Sequence, residues 1–352
     1  MKRVVQIGIG IALGAALIWL LFRRTDWAAV WAAVREIRLE WLLVSQAFVW
    51  GTFFARVQRW SYVVRASCPA RYRHLFSATQ IAFLVNFTLP ARAGEFVRPY
   101  VLSRLAKRPL SQCIAMAALD RVNDLFALIV VLLLAMLSLP KGLDIEFPAG
   151  AFGNAEPIAV SSAAIRPAAS GAAAALCGMC AVLVFLYVNQ GLVLRAVGAT
   201  LGRVSARFAA WLERVFVNFA AGMHVFRSPS DLAKATGFSL LTWGGGVGSS
   251  AAMMAAFDIP FPWYAPLLML ALIAVFISVP VTPGAVGQYH IPVIACLLVV
   301  APGLDPARAK AVALVTHLFA LFPVGVLGVF CLIREQIRFT DLLRVRPEAD
   351  SA

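Results

Sequence analysis

The sequence predicts an all-α polytopic membrane protein, and three observations lead to this fold class. Hydrophobic residues make up 61% of the 352-residue chain and charged residues only 14%, against roughly 25% charged in soluble domains. The mean hydropathy is +0.83. Long apolar runs alternate with short basic segments throughout. We therefore expect about seven or eight transmembrane helices, with short broken or re-entrant helices between them, in one integral membrane domain over residues 1–352.

The net charge of +14 predicts how the chain is oriented. Basic residues cluster after the second apolar run and after the last one, which marks both places as cytoplasmic and makes residues 334–352 a cytoplasmic tail. We expect a multi-pass protein of the plasma (inner) membrane with both termini in the cytoplasm. Basic loops favour contact with anionic lipid, and we expect no nucleic-acid partner. A homo-oligomer is compatible with the sequence.

The apolar runs define the spans in chain order. The first run follows Met1-Lys2-Arg3 like a signal peptide, but no small-residue cleavage site ends it, so we expect a retained span. Residues 75–89 form a run too short for a full crossing, which favours a half-helix or re-entrant segment. The predicted spans are 4–22, 41–64, 114–139, 168–189, 235–257, 267–281, the short 291–301, and 311–333.

Two segments between the spans have a distinct character. Residues 140–167 contain few basic residues and much Pro, Ala and Gly, so we place this loop outside the cell. Residues 190–234 repeat apolar side chains at three- and four-residue intervals with arginines between them. This pattern predicts a basic amphipathic connector on the cytoplasmic membrane surface.

A break within an apolar context organises the first half of the chain. The segment 86–100 runs from Asn86 through Pro90 to Tyr100 and contains Arg92, Glu95 and Arg98 at three-residue spacing. Pro90 suits a first helical turn, and the three charged residues would then share one side of the helix, with Arg–Glu pairs in contact. Pro99 is expected to kink or end that helix.

A second break matches the first and predicts an internal repeat. Shifting the chain by 193 residues aligns Pro90 with Pro283, Gly94 with Gly287, and Glu95 with Gln288. The repeat-like halves are 75–139 and 267–333. The basic segments flanking them predict that the halves cross the membrane in opposite senses. Inverted repeats with broken helices at corresponding positions are typical of transporter sites at the repeat interface.

The charged residues of the first break are candidates for lipid binding and translocation. Arg92 and Arg98 suit bidentate contact with a lipid phosphate, because a guanidinium fork matches phosphate geometry. Glu95 would act as a counter-ion, as a proton-coupled switch, or as a contact for a cationic headgroup. The alternative is that all three are snorkelling interface residues joined in a structural salt bridge.

Further candidates lie on the next span and in the second break. Arg121 and Asp124 can pair at i,i+3, whereas Asp120 and Asp124 would repel unless a cation or another arginine lies between them, for which Arg92 and Arg98 are the candidates. The alternative is that acids favour the N-terminal turn of a helix. In the second break, a proton relay competes with hydrogen-bonded core histidines. The candidates there, with His317 aligned to Asp124, are Pro283, Gly287, Gln288 and His290.

The six cysteines are scattered, mostly within apolar runs, and we expect them to be structural. We expect no metal and no cofactor.

These motifs resemble a known family. The Pro-Ala-Arg-x-Gly-Glu-x-x-Arg element from Pro90, the Asp120-Arg121 pair with Asp124, and Pro283-Gly284 with Gly287 are similar to the flippase-like membrane domain of lysylphosphatidylglycerol synthases. The family usually has Glu where Asp120 precedes Arg121. The resemblance implies lipid translocation. Since only residues 334–352 follow the last span, we expect a stand-alone form without the aminoacyl-transferase domain.

Three function classes remain after this comparison. The first is a lipid flippase or scramblase that moves a phosphate-containing lipid or lipid-linked substrate between leaflets. The second is an intramembrane enzyme acting on a lipid phosphate or polyprenyl-linked sugar, although Asp144-Ile145-Glu146 matches the acidic pair of such enzymes only weakly and no other catalytic motif is found. The third is an accessory membrane protein of cell-envelope lipid synthesis. We expect the first, and no enzyme activity.

Overall fold

The computed structural model describes residues 2–65, 70–89, 92–138, 140, 145–160, 228–278 and 281–343, with isolated positions between 167 and 189. The all-α prediction is confirmed, with one small β-hairpin added. The helices are α1 Lys2–Phe22, α2 Trp27–Arg35, α3 Leu39–Arg65, α4 Tyr72–Thr88, α5 Gly94–Ala106, α6 Leu110–Ser138, α7 Pro229–Ala256, α8 Ala265–Ser278, α9 His290–Val300, α10 Pro306–Arg334 and α11 Phe339–Leu343.

Membrane-spanning character is clearest in three segments of the described chain. Leu110–Ser138, Pro283–Val300 and Pro306–Arg334 are long and apolar enough to cross a bilayer. A fourth crossing results if Gly8–Phe22 and Trp27–Arg35, which are bent by 88°, count as one span. The predicted span 168–189 is described only at isolated positions, and connector residues 190–227 lie outside the described residues. The end of that predicted connector, 229–234, belongs to α7 instead.

Helices α3 and α7 pack closely along each other through small residues. A Cβ atom added to Gly245 would lie 2.8 Å from Cγ2 of Thr52, and one added to Gly248 would lie 2.8 Å from the ring of Phe48. The hydroxyl groups of Ser45 and Ser249 are 3.0 Å apart across the same contact. The glycine-rich sequence of α7 therefore permits close helix packing, and α7 continues without a break.

Helices α4 and α5 form a hairpin around the first break. The N–H of Gly94 donates to Oδ1 of Asn86 at 2.7 Å, which joins the start of α5 to the end of α4. A Cβ atom on Gly94 would lie 2.0 Å from the carbonyl oxygen of Ala82, so only glycine permits this approach. The short run predicted at 75–89 is therefore one arm of a helical hairpin.

The expected end of a helix at Pro99 is wrong, and a kink there stays a prediction. Helix α5 does not end there but continues to Ala106. Pro99 removes one N–H, and so withdraws the usual i+4 donor from the carbonyl of Glu95. Buried apolar neighbours on both sides of the proline, Val97 and Val101, pack into the core and hold the helix together despite the lost bond.

Helices α8 and α9 form a second hairpin around the second break, which includes the 3₁₀ turn Pro283–Ala285. The thiol of Cys296 on α9 donates to the carbonyl of Ala265 at the start of α8, at 3.6 Å. Near the break, Nε2 of Gln288 donates to the carbonyl of Phe276 at 3.3 Å. Contacts at both ends show that α9 returns alongside α8.

The tips of the two hairpins touch. Nη2 of Arg92 donates to the carbonyl of Ile277, in the last turn of α8, at 2.8 Å. Phe87 covers Gly284, where a Cβ atom would lie 2.9 Å from the Phe87 ring. Gly284 has φ +61°, so the backbone there favours glycine. The two breaks that the sequence aligns are thus neighbours in space.

The element order agrees with the predicted offset of 193 residues. A helix, a break, a short helix and a 29-residue helix occur in both halves, as α4–α5–α6 and as α8–α9–α10. Shifting α4–α6 by 193 residues overlays each helix on its counterpart. Whether the halves cross the membrane in opposite senses stays a prediction.

Helix α10 contains a proline whose lost hydrogen bond is replaced from another helix. Pro323 cannot donate to the carbonyl of Phe319, four residues earlier. Nε2 of Gln46, on α3, donates to that carbonyl at 3.1 Å. The side chain from α3 therefore satisfies a backbone acceptor that α10 cannot satisfy itself.

A small β-hairpin, β1 Ile145–Phe147 and β2 Ile158–Val160, interrupts the loop after α6. Its connecting turn rests on the start of α10. The ammonium of Lys310 donates to the carbonyl of Gly150 and to Oγ1 of Thr25, each at 2.8 Å. Lys310 is 2% exposed, so a buried cation holds the turn in place through neutral oxygens.

Candidate functional site

A buried ion-pair network forms the floor of the candidate site. Arg59 on α3 meets Asp120 on α6 at two points, with Nε 2.8 Å from Oδ1 and Nη2 3.0 Å from Oδ2. Nη1 of Arg98, on α5, lies 2.6 Å from Oδ2 of the same carboxylate. The Arg98 guanidinium also stacks on the Trp60 ring, 3.7 Å from its centroid. Asp120 therefore binds three helices together from within the bundle.

Asp124 extends the network by one helical turn. Its Oδ1 accepts from Nη1 of Arg59 at 2.5 Å and from Nε1 of Trp243, on α7, at 3.1 Å. Its Oδ2 accepts from Nη1 of Arg121 at 3.3 Å. Arg59 thus lies between the two carboxylates of Asp120 and Asp124. This removes the like-charge repulsion that their i,i+4 spacing would otherwise cause.

Glu95 and Arg121 form the more open rim of the network. Nε of Arg121 donates to Oε2 of Glu95 at 2.8 Å, and the two side chains are 36% and 30% exposed. Arg59, Arg98 and Asp120 are at most 4% exposed. Exposure therefore differs across the network. The floor, Arg59, Arg98 and Asp120, is buried, and the rim, Glu95 and Arg121, is about one-third exposed.

Several sequence-based expectations for the first break need correction. Arg92 lies in the turn before α5, with φ +49°, and not on the helix. Among the described residues, Glu95 pairs with Arg121 and not with Arg92 or Arg98. The predicted i,i+3 contacts between Glu95 and the two arginines are wrong, because α6 supplies the partners of Glu95 and Arg98 and α8 supplies that of Arg92. The predicted contact between Arg121 and Asp124 is present.

The dipole explanation for the acids of α6 is also wrong. Helix α6 begins at Leu110, so Asp120 and Asp124 lie well beyond its first turn, where the dipole effect has decayed. The expectation that a cation separates the two acids is met, but Arg59 occupies that position. Among the described residues, Asp120 is the one carboxylate that pairs with Arg98, and this buried pairing leaves the guanidinium fork unable to reach a phosphate in this structure.

Asn86, another predicted residue of the first break, has a structural contact. Oδ1 of Asn86 accepts the N–H of Gly94 and closes the α4–α5 hairpin. Pro90 lies outside the described residues.

In the second break, a side-chain amide orders the turn. Oε1 of Gln288 accepts from the backbone N–H groups of Val281 and Thr282, at 3.2 and 3.1 Å. Pro283 begins the 3₁₀ turn that follows. Gly287 has φ +82°, and a Cβ atom there would lie 2.5 Å from Cβ of Leu17 on α1. These residues shape the break.

Two buried histidines lie beside this turn. Nε2–H of His317 donates to the carbonyl of Gly284 at 2.9 Å, and the ring stacks on Tyr289 at 4.6 Å. Nδ1 of His290 accepts the N–H of Gly287 at 3.2 Å. The two imidazole centroids are 4.8 Å apart. Each histidine is thus hydrogen-bonded in the core, and a proton relay between them stays untested.

Two residues of the network, Arg59 and Trp243, are not among the residues predicted from the sequence. Arg59 lies near the end of the predicted span 41–64, close to the basic residues that follow it. Its position six residues before Arg65, inside a 27-residue helix, was the available signal. Nothing in the sequence pointed to Trp243.

Comparison with known protein families gives a match that covers most of the chain. A family model described as the lysylphosphatidylglycerol synthase TM region matches residues 6–328. No curated protein matches the chain. The matched range contains both hairpins and every residue of the ion-pair network.

Proposed function

The chain belongs to the family of lysylphosphatidylglycerol synthase TM regions, and from this membership we propose that it moves a phosphate-containing lipid between the leaflets of the plasma (inner) membrane. The family supports a membrane protein concerned with lipid. Translocation itself, the type of membrane and the cytoplasmic position of both termini belong to the proposal.

One observation carries the proposal: the tips of two broken-helix hairpins meet beside a buried ion-pair network. A lipid headgroup can cross a bilayer only if polar groups replace its water within the hydrocarbon region. Broken helices supply such groups where they are buried in protein or line a cavity. The contact of Arg92 with Ile277 places a cation at the junction of the two hairpins.

In this mechanism the headgroup contacts the rim of the network and the acyl chains remain in the bilayer. Arg92 binds the phosphate through donors that its bond to Ile277 leaves free. Glu95 holds Arg121 in place at the rim. Arg59, Arg98 and Asp120 do not contact the lipid; they fix the positions of α3, α5 and α6 around it. We propose no catalytic step.

The test is a translocation assay in proteoliposomes. Fluorescent phospholipids are incorporated symmetrically, and an impermeant quencher reports the fraction that reaches the outer leaflet. The wild-type protein is expected to raise this fraction above that of protein-free vesicles, and Arg92→Gln is expected to slow the rise. Arg104→Gln, which removes an exposed arginine of α5 away from the network, is the matched control.

Two results would count against the proposal. Failure of the wild-type protein to move anionic, zwitterionic and polyprenyl lipids would contradict translocation and favour an enzyme or accessory role. Equal rates for the wild type and Arg92→Gln, at equal reconstitution, would keep translocation but remove Arg92 from the lipid path.

A further inference from the structure

Arg56 is a cation on α3, within the predicted span 41–64, and no carboxylate of the described residues forms an ion pair with it. It lies on α3 one turn before Arg59, and its side chain is half-buried. Among the described residues it forms no ion pair and no hydrogen bond. Its nearest aromatic contact is the Phe83 ring, 5.9 Å from the guanidinium carbon. A charge at this depth is costly unless another group neutralises it.

Arg92 is a second cation of the same kind. It is exposed at the hairpin tip, and its one hydrogen bond within the described chain goes to the neutral carbonyl of Ile277. Arg56 and Arg92 both interact electrostatically with Asp124 and Arg121. They therefore surround the same rim of the ion-pair network from two different elements.

The charges of the site do not balance without a ligand. The network is neutral in itself, because three arginines (Arg59, Arg98 and Arg121) match three acids (Glu95, Asp120 and Asp124). Arg56 and Arg92 add two positive charges: the carboxylates that attract them, such as Asp124, are already counted in the network, and no further acid of the described residues pairs with them. In a medium of low dielectric constant, this excess favours a ligand with two negative charges.

We propose that Arg56 and Arg92 bind a doubly charged phosphoryl headgroup, a phosphomonoester or a diphosphate. This inference rests on the proposed function and narrows its substrate class. A phosphomonoester has a net charge between about −1.5 and −2 at pH 7. A phosphodiester has a single negative charge, and a zwitterionic headgroup has no net charge. An aminoacylated, cationic headgroup would meet repulsion at the same place. Guanidinium forks suit several oxygens on one phosphorus.

Binding is measured separately from translocation so that the two proposals can fail independently. The purified protein in detergent micelles is titrated with short-chain phosphatidic acid, phosphatidylglycerol and phosphatidylcholine, and bound lipid is counted by native mass spectrometry. We expect phosphatidic acid to bind about tenfold more tightly than phosphatidylglycerol, since one additional charge-assisted hydrogen bond corresponds to such a factor. Inorganic phosphate is added as a competitor.

Substitutions of Arg56 test whether this residue causes the preference for phosphatidic acid. Arg56→Gln is expected to abolish the preference for phosphatidic acid, Arg56→Lys to retain part of it, and Arg104→Gln to retain all of it. Thermal unfolding without lipid establishes that each variant is folded. If Arg56→Gln is unfolded, the comparison of Arg56→Lys with the wild type replaces it, because lysine keeps the charge and loses the fork.

No preference for phosphatidic acid in the wild type, or an unchanged preference in folded Arg56→Gln, overturns the inference even if translocation is observed. A preference that depends on Arg56, in a protein that moves no lipid, supports the site and contradicts the proposed function. Displacement of phosphatidic acid by millimolar inorganic phosphate would show that the phosphoryl group alone is recognised and that a lipid is not required.

Discussion

Arg59 and Asp120 face each other across α3 and α6 as a two-point ion pair, with side chains 1% and 0% exposed. A pair with this burial cannot exchange its partner for water. Removing one member leaves an unpaired charge inside the bundle, which costs about 3–5 kcal/mol. The pair therefore fixes the relative position of the two helices.

Arg59→Gln is expected to lower the free energy of unfolding by about 3–5 kcal/mol, because Asp120 and Asp124 both lose their shared cation. The measurement is equilibrium unfolding by SDS in mixed micelles. Arg104→Gln should leave the free energy of unfolding within about 0.5 kcal/mol of the wild type. Equal stability of Arg59→Gln and the wild type would contradict a structural role for the floor of the network.

The two ends of the network should differ in coupling energy. A double-mutant cycle with Glu95→Gln and Arg121→Gln is expected to give about 0.5–1 kcal/mol, because this pair is about one-third exposed. A cycle with Arg98→Gln and Asp120→Asn should give a larger value, because that pair is buried. If the rim pair proved the stronger, the graded burial would not govern these energies.

Gly284→Ala is expected to destabilise the contact between the hairpin tips, for two reasons. The φ of +61° disfavours any residue with a Cβ atom, and that atom would lie 2.9 Å from the Phe87 ring. A cost of about 1–3 kcal/mol in the free energy of unfolding is expected. Gly244→Ala, on α7 with open space around it, serves as the control. Comparable losses in both variants would show that the tip contact has no special strain.

Gln46→Leu should leave the carbonyl of Phe319 without a donor and cost about 1–3 kcal/mol. Pro323→Ala restores the missing N–H in α10. The double variant, measured by the same unfolding titration, should therefore be less destabilised than Gln46→Leu alone. Strict additivity of the two changes would mean that Gln46 does not substitute for the helix bond.

The positions of the breaks were predictable because their causes are local. Pro90 and Pro283 interrupt apolar runs, and Gly94 and Gly287 follow each proline at the same distance. The structure places a break near each pair. The persistence of α5 through Pro99 was not predictable, because packing against neighbouring helices outweighs one lost hydrogen bond.

The members of the ion-pair network were predictable as residues but not as pairs. Charged residues are rare in this chain, and this rarity alone makes five members of the network candidates: Glu95, Arg98, Asp120, Arg121 and Asp124. Their partners depend on the register between α3, α5 and α6, which is set by side-chain packing over the length of three helices. Arg59 is 61 residues from Asp120 in sequence, and no local pattern connects them.

The reactivity of Lys310 can report whether the β-hairpin turn remains packed against the start of α10. Its amine is 2% exposed beneath the turn at Gly150, whereas Lys107 and Lys234 are exposed on the surface. An amine-reactive label applied to the folded protein should therefore modify Lys107 and Lys234 quickly and Lys310 slowly. The labelling rate of this single residue, followed by peptide mass spectrometry, measures how often the hairpin lifts from the start of α10.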